Sequence, residues 1–466
     1  GIYMENNKQN EDLLTVISCI IDDVFHRWVL ILAVMFICGS MFDVVKTVNY
    51  VPQYGSNMTA TLGSGGDTFK NLDKIQSYIS TLNYLMNSKN ARAYVKKKMD
   101  IPSTTYTATI STQQANIINF NVTADTKKEA YYAIGYLTEW YAGSTQRYNF
   151  PYAINILDES NFSTAPVNYN SHKGNFMKGA LVSGAVLVFI LALYYFFRDT
   201  VKSDKEAKQK LNARLYARIP FEKKKKRNPF KKNRKAILIT SLKTSFFYRE
   251  SINKLRSKVE ASSQKHGYTS FMITSAHENE GKSSVGANLA LALAKNGHKT
   301  ILVDMDFRKP SLNKIFELKT NTSLNNAIEG KSHWKSQVVT LDHPGLDLLP
   351  CQQDLKNSEK LTGSNRLKAI VEELKEEYDY VIVDVSPAYL LNEPMTINEM
   401  MDATLFIVRQ DYAEKDMINE TISRLTYVKN NVVGIIFNSR VYEPSTMRGT
   451  YGYRYRYNRY RTKGGE

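Results

Sequence analysis

Three short segments of the sequence carry residue types that could hold a phosphorylated ligand. The first is Ala276-His-Glu-Asn-Glu-Gly281-Lys282-Ser283, followed by Ser284. A glycine at position 281 lets backbone N–H groups turn inward around phosphate oxygens at a helix N-terminus. Lys282 then reaches the outer phosphates, and the Ser283 hydroxyl suits Mg2+. Ala276 stands where glycine is usual, so the loop is slightly less permissive; Ala276, Glu280, Gly281, Lys282, Ser283 and Ser284 are the expected nucleotide contacts of this segment. The second segment, Ile301-Leu-Val-Asp304-Met-Asp306-Phe-Arg308, ends an apolar strand in two carboxylates on one face, because residues two apart on a strand point the same way. The third, Tyr380-Val-Ile-Val-Asp384, ends another strand in a single carboxylate, the position that holds Mg2+ directly or through water in phosphoryl transfer. Gathered at one sheet edge, the three would surround a nucleotide. A blander alternative is that Asp304 and Asp306 merely cap the next turn. The complete set argues for chemistry.

Such a loop needs a strand before it and a helix after it. Residues 269–273 read as the strand, and Val285, Leu289, Leu291 and Leu293 mark the helix. From about residue 241 short apolar runs alternate with helical stretches, the pattern of a parallel sheet covered on both faces. The expected fold class is α/β: a P-loop NTPase-type parallel sheet covered by helices in the cytoplasm, two transmembrane helices, and a small α/β extracytoplasmic domain.

The wider composition agrees. The chain has 466 residues, 43% of them apolar, and a net charge of +17. An ordinary apolar fraction excludes a wholly disordered or fibrous chain. Cys19, Cys38 and Cys351 are too few and too scattered for a disulfide scaffold, and no Cys/His cluster suggests zinc. Gly1 to Tyr3, ahead of Met4, read as an appended segment. Residues 179–197 contain no charge and would span about 28 Å as a helix, matching a bilayer core. Residues 28–42 form a second apolar run that Val24, Phe25, Val44 and Val45 extend, with Arg27 and Asp43 near the headgroups. A secretory signal or a buried core helix is the competing reading of the longer run, which lies late for a signal and has no obvious cleavage site. Between residues 198 and 235 sixteen Lys or Arg face four Asp or Glu, which puts this side in the cytoplasm. Both termini are then inside and residues 47–177 outside. The run 223–227, with Lys231, Lys232, Arg234 and Lys235, suits anionic lipid or a solvated linker better than nucleic acid, and Pro220 and Pro229 interrupt it. The expected organisation is a cytoplasmic segment 1–23, spans 24–46 and 178–198 flanking an outer domain 47–177, a basic linker 199–240, a P-loop domain 241–440 and a tail 441–466.

The outer segment reads as extended 50–62, helical 72–99, extended 106–124, helical 127–148 and extended 152–158. Ile75, Ile79, Leu82, Tyr84 and Leu85 recur at helical spacing and predict one buried face. Its only histidine, His172, has no evident partner, and no catalytic constellation appears there.

The tail is unusual. Uniform use of the chain's 30 tyrosines would put about one in the last sixteen residues, yet five occur: Tyr451, Tyr453, Tyr455, Tyr457 and Tyr460. Interleaved with Arg454, Arg456, Arg459 and Arg461, and without aliphatic residues, they cannot build a core. About seventeen residues beyond Glu443 would stretch roughly 55 Å, far enough to enter a neighbour's active site. Five phosphorylations would add about −8 to −10 of charge and invert the segment's sign, making assembly reversible. Stacking on single-stranded nucleic acid is the weaker alternative.

Asp306-Phe-Arg-Lys-Pro-Ser-Leu-Asn-Lys-Ile-Phe316, Leu348-Leu-Pro350, Tyr378-Asp-Tyr-Val-Ile-Val-Asp384 and Val433-Gly-Ile-Ile-Phe-Asn438 closely resemble the bacterial tyrosine kinases of capsule and exopolysaccharide synthesis. The outer segment and its flanking spans resemble the polysaccharide co-polymerase, or chain-length determinant, with which those kinases work or are fused; Pro166 is the sole trace of the usual proline-rich stretch. The resemblance implies an ATP- and Mg2+-dependent membrane autokinase that phosphorylates its tyrosine cluster in trans and regulates polysaccharide polymerisation, chain length and export. It implies Asp304 as base and Asp306 as metal support, or the two exchanged, with Ser283 and Asp384 at the metal. Arg308 belongs with the nucleotide, and Asn438 resembles an adenine-contacting asparagine. Glu250, Asn253 and Arg256 fall where the family's E-x-x-R-x-x-R motif joins kinase domains in a ring, an octamer by resemblance, but Asn253 replaces an arginine. Implied partners are other copies of the chain, the membrane, a polysaccharide polymerase with its export machinery, and a tyrosine phosphatase; nucleic acid is not expected. Asp384 is followed by Val-Ser-Pro-Ala where Thr-Pro-Pro is common. Two other readings compete: a partition- or division-site switch ATPase, whose signature lysine is here His277, and a non-catalytic scaffold of the polymerase.

Overall fold

The computed structural model describes residues 2–63, 72–114, 117–223, 236–342 and 345–441, so the five tail tyrosines and most of the basic run 223–235 lie outside the described residues. The chain divides into two units, Val29–Val188 on the one hand and Gly1–Trp28 with Phe189–Glu466 on the other.

The helices Trp28–Val48 and His172–Phe197 are each long and apolar enough to cross a membrane. Only 6% and 17% of their apolar windows are buried, leaving Phe36 and Phe189 exposed. A core helix would bury such side chains, whereas a bilayer solvates them in place. The two helices approach closely at small residues: a Cβ on Gly39 would stand 2.9 Å from the Phe176 carbonyl, and one on Gly179 2.6 Å from Phe42. At their ends His172 Nδ1 lies 3.1 Å from Asp43 Oδ1. His172 therefore does have a partner, supplied from 129 residues away.

Between these helices lies a small α/β domain. Its strands β1 (Tyr54–Gly63), β2 (Thr107–Gln114), β3 (Ile117–Ala124) and β4 (Ala153–Phe162) form an antiparallel sheet in the order β2-β3-β1-β4. Met58, Ala60 and Leu62 of β1 and Ile118, Phe120 and Val122 of β3 alternate into the core, as a sheet with one covered face requires. The expected single helix over 72–99 is two, Leu72–Met86 and Lys89–Met99. Ser88 interrupts it by accepting the Ala91 N–H on its side chain, and the Asn83 and Asn87 amides exchange hydrogen bonds with the Ile110 and Ala108 backbone of β2. Ile79 and Leu82 are buried as the spacing predicts, but Tyr84 is 76% exposed.

The second unit is built on an eight-stranded sheet. Its strands are β5 (Leu215–Ile219), β6 (Ser270–Ser275), β7 (Thr300–Asp304), β8 (Val339–Thr340), β9 (Asp347–Leu349), β10 (Tyr380–Asp384), β11 (Ala403–Arg409) and β12 (Val432–Asn438). They run in the order β5-β12-β11-β6-β10-β7-β9-β8, parallel except for β8. Every residue of β6, β7 and β10 is buried, the near-continuous apolar pattern of strands covered on both faces. Part of the stretch that reads as a linker folds into this unit: the helix Asp204–Lys210 and β5, which extends the sheet beside β12. Tyr216 and Ile219 anchor β5, a two-residue signal hidden by surrounding charge. Gly434 permits the approach, since a Cβ there would sit 2.7 Å from the Arg214 carbonyl.

The N-terminal helix Ile2–His26 belongs to the same unit. Arg440 Nη1 meets Asp23 Oδ1 at 2.7 Å and Arg440 Nη2 lies 3.6 Å from Asp411 Oδ2. Lys202 Nζ is 3.8 Å from the other Asp411 oxygen, which also accepts the Thr200 hydroxyl.

Candidate active site

The loop between β6 and the helix Lys282–Lys295 is shaped by two residues in left-handed conformation, Asn279 at φ 63° and Gly281 at φ 96°. Ala276 is not one of them, so a methyl group is tolerated there and the missing glycine costs little. A Cβ on Gly281 would collide with the Asn438 amide, whose Nδ2 donates to the Glu280 carbonyl over 2.9 Å. Glu280 is fully buried beneath the loop. Its carboxylate accepts the His277 N–H at 2.7 Å and the Arg409 N–H at 3.3 Å, but burial outweighs these bonds and pushes its pKa up to about 7. Gly281 provides no side-chain cap, so the first N–H groups of the helix are available to an anion.

The register of the parallel sheet sets Asp304 at the end of β7 directly beside Asp384 at the end of β10. Lys282 Nζ enters between the carboxylates, 2.9 Å from Asp306 Oδ2 and 3.8 Å from Asp384 Oδ1. Burial alone would lower the Lys282 pKa, but Asp384 and Asp306 outweigh it and hold the ammonium well above its usual range. Asp304 is wholly buried. Its Oδ1 accepts the Asp306 N–H at 3.1 Å, while Oδ2 accepts those of Ser311 at 2.8 Å and Leu312 at 3.1 Å. The turn-capping role is thus real for this residue. Burial, then the neighbouring Asp384 charge, raise its pKa to about 7 against these bonds.

Asp384 is equally buried and its pKa is raised, chiefly by desolvation, against the opposing effects of Lys282 and the adjacent Ser283 hydroxyl. Its Oδ2 accepts the Ser311 hydroxyl at 3.1 Å, whereas Oδ1 has no hydrogen bond. Among the described residues no three His, Cys, Asp or Glu side chains converge into a metal cage. Mg2+ usually takes one or two carboxylates and completes its shell with phosphate oxygens and water. The free Asp384 oxygen beside Ser283 fits such an ion.

Lys282, Ser283, Asp304, Asp306 and Asp384 are therefore gathered at one sheet edge, with Asn438 behind the loop. Arg308 is paired with Glu393: its Nε and Nη2 contact Glu393 Oε1 at 2.7 and 2.6 Å, and Ser358 donates to the same oxygen at 2.9 Å. Glu250, Asn253 and Arg256 lie on the helix Phe246–His266 and line a separate open concavity of about 840 Å³. The His277 ring packs edge-on to Tyr412. Sequence reasoning missed Glu393, which has no local motif. It also missed Ser311, which sits inside the Asp306–Phe316 segment, where a serine after proline at a helix start was the available signal.

A glycine-lysine-serine loop at the end of a parallel strand, with acidic ends on two further strands, defines a P-loop α/β protein of the NTPase class. Residues 273–434 match the family model described as an AAA domain. The chain is 29% identical over 203 residues to the tyrosine-protein kinase YwqD of Bacillus subtilis, a match covering 44% of this chain and 86% of that protein. It is 25% identical over 258 residues to the tyrosine-protein kinase ptk of Acinetobacter johnsonii, covering 55% of this chain and 35% of that one. It is 27% identical over 195 residues to the succinoglycan biosynthesis transport protein ExoP of Rhizobium meliloti, covering 40% and 25% respectively. The chain thus spans most of the Bacillus relative but about a third or less of the other two. Over its P-loop region the chain is similar to bacterial tyrosine-protein kinases.

Proposed function

We propose that this chain is a membrane-anchored, ATP-dependent protein-tyrosine autokinase that phosphorylates the tyrosine cluster 451–460 of neighbouring copies and thereby regulates polysaccharide polymerisation, chain length and export. The observation that carries the reading is Lys282 buried between Asp306 and Asp384 at the mouth of an anion-receptive helix N-terminus. The names of the Bacillus and Acinetobacter relatives support the kinase chemistry, and the Rhizobium relative supports the polysaccharide setting. The two apolar helices support the anchor, with both termini and the P-loop domain on the cytoplasmic side and the small sheet domain outside.

In this mechanism backbone N–H groups at 281–284 and the Lys282 ammonium hold the nucleotide's phosphates, and Asn438 lies on the adenine side. Bound Mg2+ supplies charge neutralisation at the transferring group, held by Ser283 and Asp384 with Asp306 in support. The tyrosine oxygen forms a bond to the γ-phosphorus as the bond to the β–γ bridging oxygen breaks, ADP leaves, and the tyrosine proton passes to a carboxylate. Asp304, with its pKa near 7, suits that acceptor. It must first give up one of its three backbone N–H bonds, and Asp306 is the alternative. Glu250, Asn253 and Arg256 would face the next copy in a ring.

Lys282→Met abolishes tail phosphotyrosine on this reading, and phosphotyrosine persisting in the purified variant overturns it. Mixing Lys282→Met chains with active chains lacking the tail tyrosines tests transfer in trans: label from ATP then appears on the Lys282→Met chain. Label released as free phosphate instead marks a switch ATPase, and no turnover marks a scaffold.

A further inference from the structure

Ser311 occupies the N-cap position of the short helix Leu312–Ile315, where a serine ordinarily accepts a backbone N–H on its hydroxyl. Here it makes no such cap. The Ser311 and Leu312 N–H groups go to Asp304 Oδ2, at 2.8 and 3.1 Å, and the freed hydroxyl donates to Asp384 Oδ2 at 3.1 Å. One small residue thus ties together two wholly buried carboxylates from neighbouring strands, Asp304 through its backbone and Asp384 through its side chain. The bond also distinguishes the two oxygens of Asp384. Oδ2 is occupied, and Oδ1, buried without a hydrogen bond, is left beside Lys282 and Ser283. A buried carboxylate oxygen without a donor is costly unless something else takes it.

We infer that Ser311 is a positioning residue that fixes the Asp384 carboxylate so that its free oxygen faces the Mg2+ of the bound nucleotide. The inference rests on the nucleotide reading above and deepens it. Without the hydroxyl, the carboxylate can rotate or draw toward Lys282, and its preference for the divalent ion falls. Partners of this kind, which orient a metal's ligands without touching the metal, typically contribute about ten- to a hundredfold to metal affinity.

The test is nucleotide affinity of the purified full-length chain, measured with a fluorescent ADP in excess Mg2+ and again in EDTA. Wild type binds more tightly with Mg2+. Ser311→Ala reduces that Mg2+-dependent gain about tenfold and leaves affinity in EDTA unchanged, while Ser311→Thr, which keeps the hydroxyl, retains the gain. Mn2+ titrations in the presence of ADP, followed by electron paramagnetic resonance, show the same loss in Ser311→Ala. The inference is overturned if Ser311→Ala keeps the full gain, if it weakens binding equally with and without metal, or if Ser311→Thr behaves as the alanine variant does. A wild-type chain that binds no nucleotide in either condition overturns the site reading itself, a result distinct from the other three.

Discussion

Asp384 is a carboxylate that the fold buries at a cost in stability. In the unfolded chain its carboxyl ionises near 3.8, and in the fold burial moves that ionisation upward; Asp304 moves in the same direction, to about 7. Above 3.8 the folded state holds protons that the unfolded state has lost. These two groups therefore withdraw stability as pH rises from about 4, and the Asp304 share is fully withdrawn once pH passes about 7. Asp384→Asn removes one of the crowded charges and keeps an acceptor for Ser311. The nucleotide-free variant should melt higher than wild type, with a larger difference at pH 8 than at pH 5, by a few degrees if the effect is about 1 kcal/mol. Equal differences at both pH values would show that the charge is not the source. At this scale the sequence was informative where the chemistry is local. Lys282, Ser283 and the three aspartates sit in short motifs whose spacing alone points to phosphate. Glu393 and the Ser311–Asp384 bond were invisible because they join residues 85 and 73 positions apart.

Among the elements, the P-loop depends on one backbone conformation. Gly281→Ala would place a Cβ at φ 96° and against the Asn438 amide, so nucleotide affinity should collapse while far-UV circular dichroism stays unchanged. Adding Asn438→Ala should not restore affinity, because the strained φ remains. In the outer domain Ser88→Ala removes the cap of the helix Lys89–Met99 and should cost about 1 kcal/mol in urea unfolding. The strands β7 and β10 could be read from composition, since residues 301–303 and 381–383 are apolar throughout as a strand buried on both faces requires. The split at Ser88 could not, because the apolar spacing runs across it. What breaks the helix is Ser88, which caps the next one, while the Asn83 and Asn87 amides tie the preceding turn to β2. Tyr84 is exposed because it follows the buried Leu82 by two residues, about 200° around the helix and so on the opposite face.

In the unit that carries the P-loop, segments far apart in the chain converge on the ends of β11 and β12. Arg440 is held by Asp23 from the N-terminal helix and lies near Asp411, while Lys202 and Thr200 approach Asp411 from the other side. Arg440→Met leaves these carboxylates buried with less compensation and should cost about 3–5 kcal/mol in denaturant unfolding; with Asp23→Asn added, the total should fall short of the two single costs summed. No sequence pattern announced this cluster, since its members are ordinary surface residue types spread over more than four hundred positions. Nor did composition reveal β5, whose neighbourhood is dominated by lysine and arginine.

The position of β5 has a practical corollary. A catalytic fragment cut at residue 241, where hydropathy and charge place the seam, would strip the last strand from the sheet and bare the flank of the β12 backbone from Ile435 to Asn438. Unpaired N–H and C=O groups on such a flank recruit whatever strand is nearest, commonly the same edge of another molecule. Such a fragment should pair or precipitate through that edge, and the particle size it gives on a column would describe where the scissors fell, not how the intact protein assembles.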